Sequence, residues 1–178
     1  MTKQLIGALA LIAGLATSAQ AAIVEFAAAL TPEQEVTAPV LNGATPFGTA
    51  GLVLDTDTYE FGWVISFEGL TSNAILAHFH AAPPGQNGNV RIDIPSNSVF
   101  SGIGNTDGLF VGGATLTDDQ ETELLAGLFY INIHTDINGG GELRGQVLNG
   151  TFNPVPLPAA AWLMIPALGF LGWRRRAS

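Results

Sequence analysis

The stretch from Ile23 to Asn149 is a succession of short apolar runs, none long enough for a packed helix, each closed by Gly, Pro, Asn or Asp. Turn formers at roughly 8–12-residue spacing, between runs of strand length, limit such a chain to an all-β sandwich or barrel. The spacing predicts strands over 24–30, 47–54, 59–67, 74–81, 90–94, 109–115, 128–135 and 142–148. Alternation within them assigns faces. In Phe129-Tyr130-Ile131-Asn132-Ile133-His134 the phenylalanine and isoleucines share one side, and His134 lies on the other. One short helix is expected: Thr117 and Gln120 have the spacing of a capping box, and acids fill the first turn. Leu124 and Leu125 would dock on the sheet, and Gly127 would cap the end. No repeat of fixed period is present. The expected fold is an all-β sandwich or barrel carrying one short helix.

Both chain ends fall outside that pattern. The start has one lysine, Lys3, then an apolar run from Leu5 to Ala16, then Ala19-Gln20-Ala21. This is the order of a secretory signal peptide, 1–21, cut after Ala21. Its apolar run is short of the ~20 residues that span a bilayer. At the other end, 154–178 combines a Pro-rich hinge, an apolar stretch from Ala159 to Trp173, and Arg174, Arg175 and Arg176. Fifteen helical residues cover about 22 Å, short of the ~30 Å hydrocarbon core. The arginines place the C-terminus on the cytoplasmic side and the central domain, 22–153, outside. Sequence alone leaves an ordinary tail anchor and a sorting signal both open.

Within 22–153 lie all 15 acidic residues against only Arg91 and Arg144, a formal balance of −13. A surface so negative repels phosphate backbones, which excludes nucleic acid as a partner. It attracts cations and basic partners, or simply keeps an exported domain soluble. With no cysteine, disulfides and thiol catalysis are excluded.

The chain has three histidines. His78 and His80, two apart on one strand, project together, with Phe79 turned into the core. His134 ends a later strand. If those strands are neighbours, three imidazoles meet on one face and form a nitrogen-rich site for copper or zinc. The alternative is that their ring nitrogens bond turns and brace the sheet. Three glycines, 139–141, provide a tight turn returning the chain beside His134. Glu142 and Arg144 beyond it would share a face, where they could form a structural ion pair, or Arg144 could hold another nearby carboxylate. The loop 81–89, following His-x-His, is either a site rim or a plain connection. There is no Gly-x-Ser-x-Gly turn or other nucleophile arrangement, and no specific carboxylate pair, so the residues do not define an enzyme.

Two resemblances add to this reading. The tail, with Val155, Pro156, Leu157, Pro158 and Ala159 before the apolar stretch and the arginines, resembles the PEP-CTERM sorting signals of Gram-negative bacteria, in their Val-Pro-Leu-Pro-Ala variant. That resemblance implies processing by an exosortase and passage through the inner membrane to the cell envelope or the medium. In the domain, Leu30-Thr31-Pro32-Glu33-Gln34-Glu35-Val36, Leu76-Ala77-His78-Phe79-His80 and Tyr130-Ile131-Asn132-Ile133-His134-Thr135 lead to Gly141-Glu142-Leu143-Arg144-Gly145-Gln146. In this order they resemble the CHRD domain first described in chordin, with a longer turn at 136–140 than members usually have. The resemblance implies an extracellular β-sandwich-like domain; the tail, the acidic surface and the lack of a complete catalytic set point to a binding or structural module, with envelope or matrix components as partners. A more distant likeness is to the copper half of Cu,Zn superoxide dismutase, with a His-x-His pair, a late histidine and an arginine. The zinc-loop ligands, bridging histidine and disulfide of that family are missing, so the likeness implies a shared Greek-key β-sandwich or barrel, superoxide-dismutase-like in architecture, rather than dismutation.

Overall fold

The computed structural model describes residues 22–151; the expected signal peptide with Ala21 and the expected tail from 154, with Val155–Ala159, lie outside the described residues. Ten strands form two antiparallel sheets. In chain order they are β1 (Ile23–Leu30), β2 (Phe47–Asp55), β3 (Glu60–Glu68), β4 (Ala74–Ala81) and β5 (Asn89–Asp93), then β6 (Ser98–Phe100), β7 (Gly108–Thr115), β8 (Phe129–Thr135), β9 (Leu143–Gln146) and β10 (Leu148–Asn149). One sheet has the order β10-β1-β2-β3-β7-β6, the other β5-β4-β8-β9. This is an all-β sandwich. Its two sheets are stitched along one seam, where Thr31, just past β1, bridges to Arg144 of β9.

Alternation drives the packing. In β3, Phe61, Trp63, Ile65 and Phe67 face inward, and Phe79 and Phe129 meet them from the second sheet. Phe79 lies 5.3 Å from Phe61 and 5.2 Å from Trp63, ring edge against ring face. Such pairs add to the area they bury, and together they hold the sheets in register. With the inward residues of β4 and β8 fixed in this core, their alternate residues must all lie on the outer face of the smaller sheet.

The helix α1 (Asp118–Leu125) starts with the expected capping box: Gln120 N–H donates to Thr117 Oγ1, and Thr117 N–H to Gln120 Oε1. Leu124 is fully buried, but Leu125 points to solvent, because one stripe of so short a helix can face the sheet. Arg91 forks onto Glu123 and ties α1 to the edge strand β5. Gly127, with φ 71°, is one position past the cap residue Ala126. The sequence pattern does not reveal β6. Its three residues carry no alternation of their own, and their order comes from pairing with β7 and from the bond between Trp63 Nε1 and Ser98 Oγ. The last predicted strand is two, divided at Val147, which packs into the core. No described helix is long and apolar enough to cross a membrane.

Candidate metal centre

The outer face of the smaller sheet carries the three histidines. Register sets His78 of β4 opposite Asn132 of β8, which is in turn opposite Arg144 of β9. One step along, His80 faces Tyr130 and then Gln146; one step the other way, Leu76 faces His134. The three histidines therefore surround Asn132. One ring nitrogen from each lies within 4.8 Å of the other two, and His78 Nδ1 is 3.2 Å from His134 Nε2. Metal–nitrogen bonds of ~2.0–2.1 Å place tetrahedral donors about 3.3 Å apart, so the His78–His134 pair is already at that spacing and the His80 nitrogen needs to close by up to about 1.5 Å.

Hydrogen bonds from the loops fix which nitrogens are available. His80 Nδ1 bonds Gly88 O at 2.9 Å, and His134 Nδ1 bonds Gly139 O at 3.1 Å. A carbonyl can only accept, so each Nδ1 carries the proton and each Nε2 presents a lone pair. His80 Nε2 is buried and has no hydrogen-bond partner. His78 differs, turning Nδ1 inward and setting Nε2 3.6 Å from Asp93 Oδ2. Burial, with the neighbouring His78, lowers His134 to about 4; burial also lowers His80, against the pull of Gly88 O. These two rings are thus neutral near pH 7, the form that ligates metal. Burial acts to raise Asp93, but the bonds from Ser96 and the charge of His78 outweigh it, and the carboxylate stays ionised beside His78.

The loop 81–89 is a site rim. Gly88 O holds His80, Gly88 N–H donates to the Tyr130 hydroxyl, and Gln86 O and Asn87 Oδ1 accept from Arg144. Any side chain at Gly88 would collide with the Ala81 backbone. His80 stacks on Tyr130 at 5.0 Å, and the Arg144 guanidinium sits 3.5 Å from the same ring's centroid.

The expected Glu142–Arg144 ion pair does not form. Glu142 precedes β9, and its carboxylate turns away to accept from Thr71 N–H and Oγ1, Thr135 Oγ1 and Asn138 Nδ2, at 2.6–2.8 Å. Arg144, fully buried, has no carboxylate at ion-pair distance among the described residues; a planar guanidinium can instead stack on an aromatic and bond carbonyls. The 139–141 turn does return β9 beside β8. Sequence reasoning misses Asp93, Asn132 and Glu35 among the residues at or bordering the site. The signal for Asn132 is its place two residues before His134 on the same face. Glu35 gives no such signal, since it arrives from a segment about a hundred residues away.

The class defined by fold and site is a two-sheet β-sandwich module with a three-imidazole cluster on the outer face of its smaller sheet. The chain matches the family model of the CHRD domain over residues 26–147, and it belongs to the CHRD family. No curated protein matches it. No solved structure matches it either.

Proposed function

We propose that this protein is an exported CHRD binding module of the Gram-negative cell envelope that takes one copper or zinc ion at His78, His80 and His134. The observation carrying the ion is the convergence of three imidazole nitrogens, two of them on rings whose outer nitrogens are committed to backbone carbonyls. Binding is supported by the CHRD family match, which covers the whole sheet that carries the three histidines. Export is supported by the leader 1–21 and the tail 154–178, whose Val155–Ala159 motif is the part an exosortase would recognise.

Metal analysis of chelator-dialysed and then copper- or zinc-loaded protein should give one ion per chain, with His80→Ala and His134→Ala reducing affinity at least a hundredfold. Protein with no titratable affinity ends the metal reading. One observation favours a purely bracing role, the direct bond between His78 and His134. On that reading the histidine variants would lose stability in the absence of any metal, and wild type would bind none. Export is checked separately: mature protein should begin at Ala22 and lie outside the inner membrane, and its mass should change in a host without exosortase.

A further inference from the structure

Residues 31–41 cross the β9 side of the site as a strap. Thr31 exchanges backbone bonds with Arg144 at 2.9 and 3.3 Å. Gln34 bonds Ala29 O and receives the Gln146 N–H. At the far end Val40 and Asn138 bond each other twice. Between these anchors Glu35 turns inward. Its Oε1 is buried without a hydrogen-bond partner, and so is Oδ1 of Asn132, the residue amid the three histidines. Both oxygens lie against Gly141. A methyl group there would be 2.5 Å from Glu35 Oε1 and would collide with Asn132 Oδ1, so only glycine leaves the carboxyl room to enter. Two buried acceptors that border the same glycine, neither with a hydrogen-bond partner, are each unsatisfied, and a proton on Glu35 supplies a donor for Asn132 Oδ1.

We propose that Glu35 is a proton-operated latch: as the neutral acid it donates to Asn132 Oδ1 and holds the 31–41 strap over Asn132, Arg144 and Gln146, and its ionisation releases the strap. The groups around it agree. β9 brings Arg144, which favours ionisation; β8 brings Asn132, with Tyr130 and His134 two positions away; the turn before β9 brings Gly141, and the Glu142 carboxylate beyond it is engaged by Thr71, Thr135 and Asn138. Burial outweighs Arg144 and raises Glu35 to about 7. An acid raised in the closed state holds that state fully below its open-state value of ~4.3, and the hold is lost as pH rises towards 7. Release uncovers an arginine without a carboxylate partner next to the imidazoles, giving the site a second, pH-dependent face.

The latch needs no metal, so it stands or falls separately from the ion-binding reading. Amide hydrogen exchange of residues 33–41 in metal-free protein tests it, taken as the ratio of wild type to Glu35→Gln at each pH so that intrinsic exchange cancels. Glutamine donates to Asn132 Oδ1 at every pH. The ratio should be near one at pH 4.5 and at least tenfold by pH 7.5, with Glu35→Ala fast throughout. A ratio that stays flat overturns the proposal. A carboxyl carbon-13 titration of Glu35 in wild type tests the latch without any variant: a midpoint near 7 supports it, and one near 4.5 refutes it.

Discussion

Glu142 is a carboxylate without exposed surface, and its partners are four neutral donors. Burial alone would raise its pKa, but the bonds from Thr71, Thr135 and Asn138 outweigh burial and lower it. A carboxylate lowered in the folded state stabilises above its unfolded value of ~4.3, and that contribution is lost as pH falls through the folded value. Glu142→Gln replaces an acceptor with an amide that sets an N–H against donors, at a cost of about 2–3 kcal/mol. Urea unfolding at pH 7 should show that loss, and the gap to wild type should narrow below pH 4. A gap that is the same at both pH values would mean the lost charge is not its source. The residue scale also shows how far local pattern reaches. Glu142 and Arg144 stand out in the sequence because basic residues are scarce in the domain, yet the two do not pair. Spacing of two implies a shared face only inside a strand, and Glu142 precedes β9.

The helix α1 is the most legible element, because its start is written in contiguous residues, Thr117 to Gln120, and capping is a local interaction. Thr117→Ala removes the acceptor for Gln120 N–H and should cost about 1 kcal/mol, measured as a fall in the denaturation midpoint with an unchanged slope. A larger loss would mean that the helix also anchors β5 through Arg91 and Glu123 more strongly than a half-exposed ion pair does. The long strands are legible for the same reason of local pattern. β6 is not, since it is ordered by Trp63 and β7, neither of them contiguous with it.

Taken whole, the described domain has an aromatic core bridging two sheets inside a strongly acidic surface. Its salt bridges include Arg91–Glu123 and the His78–Asp93 contact. Fifteen carboxylates with two arginines repel one another, and this self-repulsion destabilises the compact state. Added salt screens it, since the Debye length falls from ~30 Å at 0.01 M to ~8 Å at 0.15 M. The melting temperature should therefore rise by a few degrees between 10 and 150 mM sodium chloride, followed by circular dichroism. A flat or falling profile would show that acidity is spread thinly enough to leave stability untouched.

Periodicity, turn chemistry and capping act between near neighbours, so the sequence by itself determined the all-β class, nearly every strand and the helix, and the common face of His78 and His80. Whether His134 joins them depends on which strands lie side by side, and that was settled by the packing of Phe79 and Phe129 against β3. Tertiary structure alone decided that Arg144 stacks on Tyr130 and that Glu35 meets Gly141 beside Asn132. Both contacts join parts of the chain that only the folded core brings together.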